Sequence, residues 1–152
     1  MRSIFIIGFL FVFLFSGQAL AEPTAKDLID TKPGKASLID VEKFFQDHPI
    51  EKGPARLEGV FKSPRAQVVF IRVKGSPIPK HYHTQADEVF YVYKGKGEVF
   101  LNGQWTPVKA GQFHTCPRGV THSVRTGEDE EIWIISVFTV PLPPGGDRVK
   151  VD

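Results

Sequence analysis

Three histidines and one glutamate occur in two short blocks of this chain, at spacings that suit a metal site. His81, His83 and Glu88 lie in the first block, and His122 closes the second. Imidazole nitrogens and a carboxylate oxygen are ligands that first-row transition metals of borderline softness accept. His81 and His83 are two residues apart, so on a β-strand both side chains point to the same face. The sequence therefore predicts a metal site held by a sheet, with these four residues as its ligands.

The spacing within the two blocks resembles the two conserved motifs of the cupin superfamily, G-x5-H-x-H-x3,4-E-x6-G and G-x5-P-x-G-x2-H-x3-N. The first block reads Gly75, five residues, His81-Tyr82-His83, four residues, Glu88, six residues and Gly95. The second reads Gly111, five residues, Pro117-Arg118-Gly119, two residues and His122. The second block departs once, because Thr126 stands where the pattern ends in Asn. That position is not a metal ligand in the family.

The resemblance covers residues 66–140 and implies an all-β fold, a small antiparallel jelly-roll barrel with the metal inside. Within the superfamily, the chain resembles the small, single-domain cupins of type 2. Similar small cupins commonly pair, so we expect a homodimer. The superfamily is functionally diverse, and the match therefore predicts a site rather than a reaction.

Residues 1–21 have the features of a secretory signal peptide. Arg2 gives a positive start, residues 4–15 are apolar apart from Gly8, and Ala19-Leu20-Ala21 fits the small-residue cleavage pattern. The apolar run is shorter than the roughly 20 residues that a membrane span needs. We therefore expect cleavage, no stable membrane span afterwards, and a mature protein in the periplasm or outside the cell.

The remaining chain is predicted to hold one domain. Residues 22–36 contain prolines and charges without periodicity and are expected to form a flexible leader. Residues 37–140 are expected to form the barrel domain, which begins with a short helix. Pro141 and the Pro and Gly residues after it are expected to stop regular structure, leaving residues 141–152 as a C-terminal tail.

The predicted helix begins at Ser37, which can act as its N-cap with Asp40 three residues later. It is about ten residues long and presents one apolar stripe at helical spacing. That stripe consists of Leu38, Val41, Phe44 and Phe45. A helix this short is marginal alone, so it must pack on the barrel or on a second copy.

From residue 57 onward, short β-rich segments alternate with Gly and Pro, as expected for strands and turns. Residues 95–97 are predicted to form a turn, and Asn102-Gly103 is the strongest hairpin signal. On the strand that Glu88 begins, Phe90 and Val92 should point inward with the glutamate. Tyr91 and Tyr93 should face the other way.

Charge and cysteine content exclude some classes of function. The 19 basic and 17 acidic residues give a net charge of +2, and no basic cluster suggests nucleic-acid binding. Cys116 is the only cysteine, so no intrachain disulfide forms. Its predicted role is that of a small, buried, apolar residue.

Other polar residues near the motifs are weaker candidates. Four of them could line the mouth of the site, where they would orient ligands or meet an anionic substrate. A plain surface position is favoured for each. These residues are Lys80, Thr84, Gln85 and Arg118. His114 and His48 are predicted to lie at the surface. Asp87 should point away from Glu88, so no catalytic role is assigned to it.

Two classes of function stay open. Three histidines and one glutamate fill four positions of one divalent metal ion, which could be iron, manganese, nickel or zinc. A metal that accepts five or six ligands keeps free positions for water, oxygen or substrate. An oxygen-using or carboxylate-processing enzyme, of oxidoreductase or lyase type, requires such free positions. A tetrahedral zinc would be closed by these ligands. Because no general base is evident, the alternative is a non-catalytic module that binds a metal or a small ligand.

Overall fold

The computed structural model describes residues 36–151, and these form one short helix followed by nine β-strands. The predicted signal peptide and the predicted leader, apart from Ala36, lie outside the described residues. Helix α1 spans Val41–Asp47, and the strands are β1 Ala55–Ser63, β2 Ala66–Lys74, β3 His81–His83, β4 Glu88–Leu101, β5 Gln104–Lys109, β6 Phe113–Cys116, β7 Ser123–Arg125, β8 Glu131–Phe138 and β9 Arg148–Lys150. The predicted all-β fold with one short N-terminal helix is confirmed.

The strands form two layers around one core and share the long strand β4. In one layer the order is β1-β2-β8-β4, and β6 pairs with the other edge of the first half of β4. The second half of β4 pairs with β5 and β7, and a bridge between His81 and His122 connects this layer to β3, which pairs with β9. All pairs are antiparallel. The ladders do not close into one continuous ring, but the arrangement is that of a jelly roll.

Strand β4 serves both layers because it bends at two glycines, where the sequence predicted a turn. That prediction is wrong, since β4 continues through residues 95–97. The register with β8 shifts between Val92 and Lys94, and Gly95 follows with φ +84°. A Cβ on Gly95 would lie 2.0 Å from the carbonyl oxygen of Glu131, and one on Gly97 would lie 2.5 Å from that of Arg125. The glycines therefore allow neighbouring backbones to approach closely at the bend.

The hairpin predicted at Asn102-Gly103 is confirmed and joins β4 to β5. Asn102 has φ +50° and Gly103 has φ +84°. Positive φ at both central residues is the geometry of a type I′ turn, whose twist matches that of the flanking strands.

Alternating side chains of the central strands build the core between the layers. Glu88, Phe90 and Val92 of β4 are buried as predicted, whereas Tyr91 is 41% exposed. Tyr93 points outward too, but it packs against the cluster beneath helix α1. The main core contains Val69, Ile71 and Val73 of β2 and Ile132, Ile134 and Phe138 of β8. The buried side chain of Glu88 therefore adjoins an apolar core.

Helix α1 begins later than predicted. Asp40, rather than Ser37, is its N-cap and accepts a hydrogen bond from the Lys43 amide at 2.9 Å. The helix has seven residues, and Leu38 lies outside it and is fully exposed. Ile39 packs against the sheet instead. The Asp40 side chain accepts from the amide three residues on, which is the hydrogen bond of an N-cap.

The helix docks on the outer face of the sheet through stacked aromatic rings. Phe45 is 1% exposed, and its ring centroid lies 4.9 Å from that of Trp133 and 5.2 Å from that of Phe70. Arg72 donates to the carbonyl oxygens of Phe45 at 2.6 Å and of His48 at 3.1 Å. Its guanidinium therefore supplies an additional donor at the end of the helix, where the Phe45 carbonyl also accepts from the His48 amide at 3.4 Å. His48, predicted to be solvated, is half-buried and stacks on Phe44 at the helix end.

The segment after residue 140 is ordered, which corrects the prediction of a tail without regular structure. Leu142 is buried in the main core, and Gly145 and Gly146 form a turn with φ +85° and +79°. Strand β9 then pairs with β3, so that Arg148 lies opposite His83. The end of the chain thus covers the strand that carries two of the predicted ligands. No helix within residues 36–151 is long and apolar enough to cross a membrane.

Replacing Phe45 with Ala should destabilise the fold. The substitution removes a fully buried ring, and such changes cost about 3–5 kcal/mol in free energy of unfolding. Urea unfolding followed by tryptophan fluorescence measures the loss. The matched control is Leu38→Ala, because Leu38 is fully exposed and such a surface change should stay within about 0.5 kcal/mol. Equal losses in the two variants would contradict the docking of α1.

Candidate metal centre

The structure brings the four predicted ligands together at one end of the core. His81 and His83 lie on β3, Glu88 begins β4, and His122 precedes β7. All four are buried, and one ligand atom from each lies within 4.8 Å of the others. The bridge between β3 and the segment before β7 sets this distance, because the amide of each of His81 and His122 donates to the carbonyl of the other, at 3.1 and 2.8 Å. The four residues are therefore positioned for metal binding.

Each histidine directs its Nδ1 atom to an acceptor outside the cluster. Nδ1 of His81 lies 2.8 Å from the Pro79 carbonyl oxygen, and Nδ1 of His122 lies 2.9 Å from the Val120 carbonyl oxygen. Nδ1 of His83 makes a short hydrogen bond to the Asp147 carboxylate. Carbonyl and carboxylate oxygens only accept, so Nδ1 carries the proton in each ring. Metal-binding histidines are oriented by such hydrogen bonds.

The Nε2 atoms then face a carboxylate, an arrangement that needs a cation. Nε2 of His122 lies 2.9 Å and Nε2 of His83 lies 3.5 Å from Oε2 of Glu88. A neutral imidazole has one N–H group, and here Nδ1 uses it. The lone pairs of Nε2 would therefore face those of Glu88 unless a proton or a metal ion lies between them. The donor set fits a transition metal ion held by three imidazoles and one carboxylate.

Glu88 is held in its ionised form. Its other oxygen, Oε1, accepts a short hydrogen bond from the buried Ser136 hydroxyl. Burial acts to raise the pKa of Glu88, but the imidazoles of His122 and His83, which donate to it from Nε2 when they are protonated, outweigh that effect and hold the pKa below its usual range. Ser136 was missed at the sequence level. It occupies an inward position of β8, two residues after Ile134, and a polar residue in that alternation was the available signal.

The pKa values of two ligands move in opposite directions. Burial and the neighbouring His122 lower the pKa of His81 to about 3, so this imidazole is neutral and able to bind a metal at neutral pH. Burial also acts to lower the pKa of His83, but hydrogen bonds to Glu88 and Asp147 outweigh it and raise the pKa above its ordinary value. At any pH below this raised pKa, a metal ion must displace a proton at His83.

Asp147 supports the site from the segment that was predicted to be a tail. Its side chain is fully buried and accepts from His83, from the Gln85 amide at 2.9 Å and from the Ala86 amide at 3.3 Å. One carboxylate thus fixes both the His83 ring and the loop between β3 and β4. The sequence reasoning missed Asp147, because its contact with His83 joins residues 64 positions apart.

A cavity of about 40 Å³ adjoins the four ligands. Its wall is apolar except for the ligands, Ser123 and Arg148. Its apolar lining consists of Leu57, Val69, Ile71, Ile78, Phe90, Val124, Ile134, Phe138 and Leu142. The sequence did not predict Arg148 as a residue of the site, because it lies in the segment predicted to be a tail.

None of the four residues predicted for the mouth lines this cavity. Thr84, Gln85 and Arg118 are exposed, as the surface alternative predicted. Lys80 lies over the ring of Phe100, 4.2 Å from its centroid. Asp87, to which no catalytic role was assigned, accepts a hydrogen bond from the Arg118 amide at 2.9 Å. These side chains therefore shape the surrounding loops.

His114 and Cys116 point inward from β6. His114 was predicted at the surface, but it is half-buried against the ring of Phe90, and burial lowers its pKa to about 4. The alternation of β6 explains the difference, because His114 shares the inward face with Cys116. Cys116 is buried as predicted, and burial raises the pKa of its thiol to about 12.

Thr126 replaces the final Asn of the second motif and ties two loops together. Its hydroxyl accepts from the Gly75 amide at 2.7 Å and donates to the Glu130 carbonyl oxygen at 2.8 Å. Gly75 has φ +70° and begins the first motif. The departure from the motif therefore keeps a side chain that joins the two motif segments.

Comparison with known proteins agrees with this architecture. Residues 68–138 match the family described as the cupin domain. The crystal structure of a conserved protein with a double-stranded β-helix domain from Klebsiella pneumoniae superposes with a TM-score of 0.64 at 21% identity. The superposition covers 78% of this chain and 99% of that chain.

Two relatives show similarity in sequence. Polyketide synthase CurC of Streptomyces cyaneus is 36% identical over 78 residues, and the match spans 51% of this chain and half of that protein. An uncharacterized protein of Aquifex aeolicus is 32% identical over 113 residues, which cover 74% of this chain and 91% of that protein. The family match begins within β2 at Val68, ends with β8 at Phe138 and includes all four ligands, and the chain therefore belongs to the cupin family.

Proposed function

We propose that this cupin binds one divalent transition metal ion through His81, His83, Glu88 and His122 and uses it to act on a small molecule. The observation that carries the proposal is the orientation of the three imidazoles. Each commits Nδ1 to an outside acceptor, Nε2 of His83 and of His122 faces the Glu88 carboxylate, and a ligand atom of His81 lies within 4.8 Å of the other three. Three nitrogen lone pairs and one carboxylate oxygen then converge on one point.

A bound metal of this kind supplies Lewis acidity, which polarises an oxygen atom of a ligand. The residues of the chain do the rest. Asp147 holds the His83 ring, Ser136 holds Glu88, and the apolar cavity wall limits the access of water. Charge interactions are stronger in such an environment than in water.

We propose an enzyme rather than a passive module, because Arg148 and Ser123 place polar groups in the wall beside the ligands. The similarity to polyketide synthase CurC also supports an enzyme. The alternative, a non-catalytic module that captures a ligand through the metal, is favoured by one observation. No carboxylate or imidazole other than the four ligands lines the cavity among the described residues, so none is placed there as a general base.

Export and pairing are further parts of the proposal. The apolar residues 4–15 and the small residues before position 22 support secretion and action outside the cytoplasm. Pairing of two copies stays a prediction. Tyr91, Phe113 and Val137 are exposed on the outer side of the sheet and give that face an apolar surface.

The His81→Ala variant should lose bound metal. It removes one of four ligands, so the stoichiometry after purification and dialysis should fall well below that of the parent protein, which should approach one ion per chain. Inductively coupled plasma mass spectrometry measures the content and names the metal. His114→Ala is the matched control, because His114 is a half-buried histidine outside the cluster. Equal, substoichiometric metal in all three proteins would refute the proposal.

The Asp147→Asn variant should still bind metal, but more weakly. Loss of the carboxylate weakens the orientation of His83, and such changes typically cost about 10- to 100-fold in metal affinity. Competition with a chromophoric chelator measures the affinity. Asp129→Asn, at an exposed acidic residue, is the control and should bind as the parent protein does. An unchanged affinity in Asp147→Asn would show that the hydrogen bond to His83 does not support the site.

Metal binding should release protons in a pH-dependent way. The pKa of His83 is raised in the metal-free protein, so the metal competes with a proton and its affinity should fall as the pH is lowered through that value. Titration calorimetry in two buffers of different ionisation enthalpy, at one pH below and one pH above the pKa of His83, should show more protons released at the lower pH. Asp147→Asn should shift this release to lower pH. Equal release at both pH values would contradict the assigned state of His83.

A further inference from the structure

The four ligand residues of the metal centre have little contact with solvent. They are between 3% and 7% exposed, and the cavity beside them has a volume of about 40 Å³. One water molecule needs at least about 10–15 Å³, so a hydrated metal ion or a substrate has little room to reach the ligands unless part of the wall moves. One part of that wall, Arg148, lies on β9.

Residues 147–151, here called the strap, cover the strand that carries two of the ligands. The strap contains β9, which pairs with β3 and, within the described residues, with no other strand. Hydrogen bonds extend this pairing at both ends. The Val151 amide donates to the Lys80 carbonyl oxygen at 2.9 Å, and the Thr84 amide donates to the Asp147 carbonyl oxygen at 3.4 Å. Movement of the strap would therefore uncover β3 and open the cavity wall.

Little apolar burial holds the strap in place. Val149, Lys150 and Val151 are exposed, and Asp147 is the one buried residue within the strap. The opposite wall of the core is different, since Val73 of β2 is 0% exposed, as is Ile132 of β8. Segments with few buried apolar contacts open locally at a lower cost in free energy than the core. The strap is therefore the part of the wall that we expect to open first.

A turn next to a firmly held residue gives the strap a hinge. Leu142 is buried, its amide donates to the Gln67 side-chain oxygen at 3.0 Å, and its carbonyl oxygen accepts from the Lys62 amine at 3.0 Å. Between Leu142 and the strap, Gly145 and Gly146 have φ +85° and +79°. Glycine changes its backbone angles at low steric cost. The strap can thus move while Leu142 keeps its place in the core.

Asp147 couples the position of the strap to metal binding. Its carboxylate accepts from Nδ1 of His83, whose Nε2 faces Glu88. A carboxylate behind a metal-binding imidazole orients the ring and raises its basicity. Closure of the strap therefore strengthens the metal site. Because linkage is reciprocal, a bound metal ion favours the closed strap by the same factor.

We propose that the strap is the gate of the metal centre, which opens to admit the metal ion and a small ligand and closes when the metal is bound. This inference rests on the proposed metal site and adds the route by which that site is reached. The strap lies outside both cupin motifs and outside the matched residues 68–138.

A disulfide between β3 and β9 tests the gate by holding it shut. Tyr82 and Val149 lie directly opposite each other in this pair, on the face away from the ligands. Such residues have Cα atoms about 4.5–5.5 Å apart, which suits a disulfide. The lock is the double variant Tyr82→Cys/Val149→Cys. Its matched control is Lys96→Cys/Lys109→Cys, an exposed pair joining β4 to β5. The native thiol of Cys116 is buried.

The rate of cobalt release to a chelator is the readout. Each variant is loaded with cobalt in the reduced form, and one half is then oxidised. The oxidised lock should release cobalt about 10-fold more slowly than the reduced lock, or more slowly still, whereas oxidation of the control should leave the rate unchanged. Equal rates for the oxidised and reduced lock would overturn the gate while leaving the metal site intact. A parent protein that takes up no cobalt would overturn the metal site and this inference together.

Hydrogen exchange of the parent protein, followed by NMR, is a second measurement that needs no substitution. Without metal, the amides of Thr84 and Val151 should exchange faster than those of Val73 and Ile132, because they are released when the strap opens. Bound zinc should slow the first two amides by about 5- to 150-fold, the usual range of linked binding, and the core amides less. Exchange at Thr84 and Val151 as slow as in the core of the metal-free protein would overturn the proposal.

Discussion

Two buried carboxylates set the constraint on which the rest of the site depends. Glu88 and Asp147 lie on opposite sides of the His83 ring, and both are buried. A buried carboxylate is costly unless it is hydrogen-bonded and balanced by positive charge. His83 alone cannot serve both carboxylates as a neutral ring, because it has a single N–H group. A cation between the Nε2 atoms and Glu88 resolves this conflict, and the surrounding structure is arranged to hold one.

The jelly roll supplies the partners of this cluster from distant parts of the chain. Ser136 comes from β8, His122 from the segment before β7, and Asp147 from the turn before β9. The bend of β4 at Gly95 lets one strand serve both layers, so that Glu88 at its first residue lies beside β3 and its last residues lie beside β7. Helix α1 packs on the outer face of the sheet, against a cluster separate from the core that lines the cavity. Its role is therefore the stability of the sheet rather than the chemistry of the site.

The sequence was most informative where contacts are local. The spacing of His81 and His83, the inward alternation from Glu88 and the Asn102-Gly103 hairpin all follow from the period of a strand or the geometry of a turn. The turn predicted at Gly95 and Gly97 is wrong, because glycine occurs where backbones approach closely within a strand as well as in turns. Asp147 and Arg148 were missed because their roles depend on the pairing of β9 with β3, which no local pattern specifies. The predicted start of the helix was wrong because both Ser37 and Asp40 can act as N-caps. Only the tertiary contacts of Ile39 and Phe45 select between them.

X-ray absorption spectroscopy of the purified, mature protein tests the central claim most directly, since it reports the ligands around a metal without requiring a substrate. The account predicts one metal species with about three imidazole nitrogens and one carboxylate oxygen at roughly 2.0–2.2 Å. The imidazoles should be recognisable by the scattering of their outer ring atoms, and the His81→Ala variant should lose one of them. A metal surrounded only by water or non-imidazole oxygens, or a protein that retains no metal under any loading condition, would contradict it.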